Sequence, residues 1–314
     1  MWCVSTQSSP KHRTQTTTTE TKSVEERFRP LNPLECEESR MTTGLPATDI
    51  LASRLAAIET NKDTIDSVVE GEELVMVRTT GNETGVAMNP DADLPGVIGE
   101  SAYDIARRGV ESTSVAERAI GVATLNAIDA ATDTIQDLDP FRALEPTVER
   151  VAMVGFFGPV FKHLEAATVD VFELNPEAVD PPADKVEGFD LSIYPPEKAS
   201  REFPKADVVF ITGSTLVWGG LEGYLEAATA DQTVVVVGAS CSFQPTPFFD
   251  AGVSVVAGAR PEAPEKLETA ITDDKSESDL HEVGLKKWAA VNPAVEALPG
   301  LDIDISSSHA GPAP

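Results

Sequence analysis

The chain holds 314 residues, 41% of them hydrophobic, with 24 Lys and Arg against 52 Asp and Glu for a formal net charge of −28. That length accommodates two domains with ample cores, and the apolar share is that of a folded chain rather than an acidic disordered one. The charge excludes a typical nucleic-acid binder, because no stripe of Lys and Arg exists to meet phosphates, and no run of about 18 apolar residues is present to span a membrane.

The acidity is scattered through periodic segments, which fits the solvated surface of a salt-adapted, halophilic, acidic proteome; an acidic face for a cationic partner is the competing reading. The N-terminus lacks the apolar core of a secretory signal. Three cysteines (Cys3, Cys36 and Cys241) cannot build a disulfide framework, so a cytoplasmic location is expected.

Residues 1–43 carry the run Thr16–Thr19 and no hydrophobic period, and are expected to be a disordered leader. Met41 precedes the first helix-start pattern and is a candidate for the true translation start. From Thr48 the spacing of Ile50, Leu51, Leu55, Ile58 and Ile65 predicts a helix. Glu72–Thr79 reads as a strand, Gly81 and Asn82 as a turn, and Thr84–Met88 as a second strand. A short helix is expected over Ser101–Arg108. A stronger one is expected over Ser114–Thr132, with Ser114 as cap, Glu117 completing a capping box, and a stripe including Ala119, Ile120, Ala123 and Leu125. Together these predict an α+β domain over residues 44–137, then a proline-marked linker over 138–146.

From residue 147 to 300 strands and helices alternate. Strands are expected at Val151–Val154, Val169–Leu174, Val208–Thr212, Thr233–Val237 and Val253–Ala257, with helices near Pro159–Ala167, Leu221–Ala230 and Thr246–Ala251. Continuous Val and Ile runs suit strands covered on both faces, as in a doubly wound, mostly parallel sheet. Pro264–Trp288 reads as one or two closing helices, and residues 301–314 as a frayed tail.

In such a sheet ligands bind beyond the carboxyl ends of the strands. The first strand ends in Gly155 and Gly158, a G-x-x-G turn with Pro159 at a helix start; its glycines either cradle an anion or simply turn the chain. The pattern falls short of the full dinucleotide fingerprint. Glu173 and Asn175 follow the second strand, about 18 residues on, where an acidic residue takes ribose hydroxyls in nucleotide-binding sheets. A metal, an amine or plain solvent are the other partners open to Glu173.

Thr212, Gly213, Ser214 and Thr215 end the third expected strand with three hydroxyls, either facing the crevice or capping a helix. Trp218 follows as an aromatic wall before Gly219 and Gly220. Ser240 and Cys241 lie in the turn after the fourth strand, where Cys241 is either a metal-binding thiol or a small buried hydrophobe. Gly258 and Arg260 follow the fifth. His163 and the pair His281 and Glu282 lack the spacing of a zinc site. No G-x-S-x-G elbow is present, and histidine is too scarce for a triad.

Taken together, VGFFGPV, FELNPE, ADVVFITGSTLV and Gly238–Pro245 resemble a two-domain prokaryotic family of uncharacterised proteins named for "putative heavy-metal chelation". The helix SVAERAIGVATLNAID is similar to that family's N-terminal module, with Asn126 and Ala127 matching a recurrent pair. The resemblance spans about residues 46–290. It implies an enolase-N-terminal-like α+β domain joined to a Rossmann-like domain, with a ligand site in the cleft between them. Three departures bear on ligand preference: Trp218-Gly219-Gly220 in place of a polar step, Ala239 and Cys241 in the turn after the fourth strand, and Gly158-Pro159 in the first turn.

These observations lead to a protein that holds a small anionic metabolite or a metal chelate in the interdomain cleft. Asn126, Gly155, Gly158, Glu173, Asn175, Thr212, Ser214, Thr215 and Ser240 are expected to line it, and Glu173 and Cys241 are the candidate ligands for a divalent metal. The alternative is an enzyme binding S-adenosylmethionine or a nicotinamide nucleotide at Gly155–Gly158 and Glu173; a third reading is an interaction module with a degenerate cleft. A homo-oligomer is compatible with all three.

Overall fold

The computed structural model describes residues 48–157, 161, 168–179, 181, 188–275 and 277–305. The expected leader, Gly158, His163, the helix near Pro159–Ala167 apart from Phe161, and residues 306–314 lie outside these.

The N-terminal unit begins with α1 (Thr48–Ile58), followed by β1 (Ile65–Glu70), β2 (Leu74–Thr79) and β3 (Thr84–Met88) in an antiparallel sheet of that order. Ile65, expected to extend the first helix, instead opens β1, whose Ile65 side chain is buried while Asp66 faces out. The helical period of that stretch had absorbed a strand of period two.

Helix α2 (Ala102–Glu111) is capped by Ser101, and α3 (Val115–Ile128) by Ser114, whose hydroxyl accepts from the Glu117 amide at 3.5 Å. The Glu117 carboxylate turns to the Ser112 hydroxyl rather than back to the cap. The two helices cross in backbone contact: a Cβ on Gly109 would stand 2.6 Å from the Gly121 Cα. Arg54 on α1 forks onto Asp129, the residue capping the end of α3, at 2.7 and 2.6 Å.

The second unit is one eight-stranded sheet. Its strands are β4 (Ile135–Gln136), β5 (Arg150–Val154), β6 (Thr168–Phe172), β7 (Asp190–Tyr194), β8 (Val208–Thr212), β9 (Thr233–Val237), β10 (Val255–Pro261) and β11 (Leu285–Val291), in the order β4-β11-β10-β9-β8-β5-β6-β7. The six strands from β5 to β10 run parallel, while β11 is antiparallel to β10 and β4 to β11. Numbered along the chain, those six lie in the order 3-2-1-4-5-6 of a doubly wound dinucleotide-type sheet. The order reverses between β5 and β8.

Short helices α4 (Ala199–Glu202), α5 (Thr215–Trp218), α6 (Leu221–Ala227) and α7 (Thr246–Asp250) connect the parallel strands, and α8 (Pro264–Thr272) and α9 (Glu277–Val283) precede β11. Three strands of this sheet fall outside the expectation: β4, β7 and β11. β4 has only two residues, β7 (DLSIY) opens on a strand-poor Asp and runs straight into Pro195 and Pro196, and the Lys and Ala of LKKWAAV in β11 carry a helical rather than a strand bias. Leu301, expected to open a frayed tail, is buried and bridges Leu144.

Alternation along the strands divides the interior. Ala152, Val154, Val209, Ile211, Val234 and Val236 share a core with Ile50, Leu51, Ile120 and Leu125 of the N-terminal unit, whereas Val151, Met153, Val208, Phe210 and Val235 pack on the opposite face. The N-terminal unit therefore caps one face of the large sheet. A third cluster joins Leu74, Met76 and Val86 to Ala259, Leu267 and Leu285. No helix among the described residues is long and apolar enough to cross a membrane.

Candidate functional site

A crevice of about 440 Å³ opens at the carboxyl ends of β5, β6 and β8, where the strand order reverses. Its floor is Gly155, whose φ of +87° turns the chain sharply off β5. A side chain there would be strained, and its Cβ would meet the Thr212 methyl at 3.2 Å. The walls come from Phe156, Phe157, Phe172, Trp218 and Tyr224. Leu174 and Trp218 stand at the mouth, 61% and 41% exposed, and are two of the three large hydrophobics exposed among the described residues.

Glu173, half-buried immediately after β6, supplies the one ionisable carboxylate among the described lining residues. Its Oε1 accepts the Phe156 amide at 2.6 Å, tying the turn after β5 to the end of β6. Burial pushes its carboxyl above the usual carboxylate range, against the pull of the Phe156 and Leu174 amides. The same burial, with Glu173 and Glu197 nearby, raises the Tyr224 hydroxyl.

Across the crevice, the Thr212 hydroxyl donates to Ser214 Oγ at 3.1 Å and accepts the Ser214 amide at 3.2 Å. Thr215 donates to the Thr212 carbonyl at 2.7 Å. The Thr215 hydroxyl therefore closes its own turn, while Ser214 Oγ lies in the crevice lining with the Thr212 hydroxyl as its partner. No Lys, Arg or His occurs among the described lining residues.

Of the residues singled out in the sequence, Gly155, Glu173, Asn175, Thr212, Ser214 and Thr215 line this one crevice. Gly158 falls outside the described residues. Asn126, Ser240 and Cys241 do not line it and are buried elsewhere.

Asn126, 2% exposed on α3, bonds both to its own unit and to the second one. Its Nδ2 donates to the carbonyls of Val86 (2.7 Å), Ser240 (3.1 Å) and Ala239 (3.2 Å), and its Oδ1 accepts the Ser242 amide at 3.0 Å. Ser240 Oγ accepts the Met88 amide at 3.0 Å. Both residues were expected in the cleft because polar groups after a strand suggest a ligand. Their polar atoms are instead satisfied by backbone across the interface, which is what burial requires of them.

Cys241 is fully buried and donates to the carbonyls of Gly238 and Ala257 at 3.1 and 3.5 Å. Burial drives its thiol well above the usual range, so the thiolate that a metal needs is disfavoured. Among the described residues no group of three or more His, Cys, Asp and Glu could hold a metal ion. The donor set of Glu173 and Cys241 thus does not fit a bound divalent metal.

Trp218 is legible as a wall from its place after a strand end, whereas Phe156, Phe157, Phe172 and Tyr224 join the lining unannounced. Phe156 and Phe157 were visible between the two glycines, where a pair of large apolar residues in a strand-to-helix turn has no local reason to be. Tyr224 carried no local signal, since it reaches the crevice from α6 and only the packing of that helix brings it there.

Residues 139–289 match the DUF364 family model and residues 53–128 match the DUF4213 model; both are described as "putative heavy-metal chelation", and together they span well over half of the chain. A protein of unknown function from the DUF364 family of Pyrococcus horikoshii has a similar solved structure, with 19% identity, a TM-score of 0.62, and coverage of 77% of this chain and 98% of that one. A DUF364 protein of unknown function from Desulfitobacterium hafniense is also similar, at 19% identity and a TM-score of 0.57, covering 76% of this chain and 98% of that one. At that identity the two establish the fold. No curated protein gives a significant match.

Proposed function

This chain belongs to the two-domain family described as "putative heavy-metal chelation", and we propose that it binds a small organic ligand in the crevice over β5, β6 and β8. Metal, where it is involved, enters as a chelate already wrapped by an organic molecule. The observation that carries this reading is Glu173: a half-buried carboxylate anchored on the Phe156 amide and facing an aromatic-walled space of about 440 Å³. Such a space, mostly apolar with a few convergent polar groups, suits a compact organic molecule.

The chemistry shifts the ligand away from the anionic metabolite expected from sequence. A carboxylate with no basic side chain among its described neighbours repels an anion, and favours a ligand that brings hydroxyl or amine donors. Ser214 and Thr212 add short hydroxyls on the facing strand end. A bare metal ion has no cluster of donors to enter among the described residues.

The reading is tested on full-length protein purified without chelators. The denatured extract is analysed for small molecules by mass spectrometry and for metals by elemental analysis. The expected result is a stoichiometric organic molecule, depleted by Glu173→Ala, with any metal present in proportion to it. Stoichiometric metal without an organic companion, or an extract free of small molecules, overturns it.

A further inference from the structure

We infer that the moiety recognised in this crevice is a ribonucleoside bearing a cationic substituent, its 2′,3′-diol held by Glu173. This rests on the reading that the crevice binds an organic ligand, and narrows it to one class.

Position comes first. Glu173 follows β6, the second parallel strand along the chain, and stands beside the point where strand order reverses. In sheets of this order a carboxylate at that place meets ribose hydroxyls. A carboxylate offers about four acceptor sites on two oxygens; the Phe156 amide takes one on Oε1 at 2.6 Å and the Leu174 amide also draws on the group, which leaves acceptor sites for a diol. The same bond fixes the carboxylate's orientation, so a diol meets a preset acceptor. The opposite strand end contributes Ser214 and Thr212 to the remaining polar edge.

Shape comes second. Leu174 and Trp218 leave large apolar surfaces exposed at the mouth of an otherwise buried aromatic lining. A flat base laid against that surface covers it, and base stacking on aromatic side chains tolerates any base because each has a π-face.

Charge decides the substituent. Pyrophosphate or phosphate brought to this crevice meets a carboxylate and no cation among the described lining residues, within a chain of net charge −28. A sulfonium or ammonium group meets the carboxylate and several aromatic faces, both of which attract it. A nicotinamide dinucleotide is therefore disfavoured relative to a sulfonium nucleoside.

The experiment is calorimetric titration of the full-length protein with S-adenosylmethionine, adenosine, 2′-deoxyadenosine, AMP and NAD+. S-adenosylmethionine is expected to bind tightest, 2′-deoxyadenosine at least tenfold weaker than adenosine, and AMP weaker than adenosine. Glu173→Gln should weaken adenosine at least tenfold while leaving 2′-deoxyadenosine within about threefold. Trp218→Ala, at an exposed position, should weaken every adenine compound alike, and keeps the test decisive if the Glu173 variant fails to fold. Equal affinity for adenosine and its 2′-deoxy form, tighter AMP or NAD+, or no nucleoside binding overturns the inference. If the nucleosides fail while the protein still releases a stoichiometric organic molecule, the class is wrong and the crevice stands. If that extract is also empty, both readings fall.

Discussion

Replacing Asn126 by Ala separates an interdomain tie from a ligand contact. The substitution strands the Ser242 amide and removes the donor shared by the Val86, Ala239 and Ser240 carbonyls, all in a region closed to water. A buried donor left unpaired costs about 1–3 kcal/mol, and the void left by the amide adds about 1 kcal/mol. A total near 3 kcal/mol corresponds to a fall in Tm of about 6–12 °C for a body of this size. The assay is scanning calorimetry alongside the nucleoside titration, since Asn126 does not line the crevice. Stability should fall while ligand affinity stays within about twofold. Asn126→Asp keeps the shape but turns a carboxylate oxygen toward three carbonyls, so it should be worse than Ala and worsen further as pH rises above its pKa. A Tm change under about 2 °C for Asn126→Ala, or lost binding at unchanged stability, would refute the reasoning.

Three further outcomes follow from packing and charge. Gly258→Ala places a Cβ 2.4 Å from Trp288 Cζ2 and 2.8 Å from Ser242 Oγ, and should cost about 1–3 kcal/mol through overpacking, read from urea unfolding. Glu222 on α6 has both carboxylate oxygens buried, and burial, opposed by its own backbone amide and reinforced by Asp49 and Glu226, pushes its pKa from the ordinary 4.5 up to about 7. The folded state therefore holds this proton more tightly than the unfolded chain, so the penalty is absent below pH 4.5, grows as pH rises through that window, and is complete above 7. Glu222→Gln should thus raise Tm at pH 8 relative to wild type and leave the difference near zero at pH 4; the same gain at both values would count against a titrating Glu222. Finally, with Cys3 and Cys36 replaced by Ser, the Cys241 thiol should resist a disulfide reagent in the native protein and react at once in denaturant, because it is buried beneath Gly213 and bonded to carbonyls. Rapid native labelling would show that the turn after β9 opens.

Much of the scaffold was readable because its signals are local. Ser114 announces a helix start by supplying the oxygen that the first turn lacks, and it is the cap in the structure. The Val runs of β5, β8 and β9 declare strands covered on two faces, and each is buried along almost its whole length. What failed was also physical. Ile65 sat in phase with a helical stripe and yet opens β1, because period alone does not separate a helix end from a short strand. β7 and β11 depend on neighbours already in place: β7 adds to the edge beyond β6, and β11 pairs with β10 over seven residues.

The crevice divides in the same way. Which residues follow strands is written in consecutive residues, through alternation and glycine turns, and this marks Gly155, Glu173, Thr212 and Ser214. Which strand ends become neighbours is not written there and emerges on folding. The order 3-2-1-4-5-6 sets β5 between β6 and β8, and so brings Glu173 and Ser214 to one space while carrying Ser240 under the N-terminal unit. Strand order and the docking of one unit on the other are set by contacts distant along the chain. A hydroxyl after a strand looks the same in sequence whether it meets solvent, a ligand or, as Ser240 does, the amide of Met88.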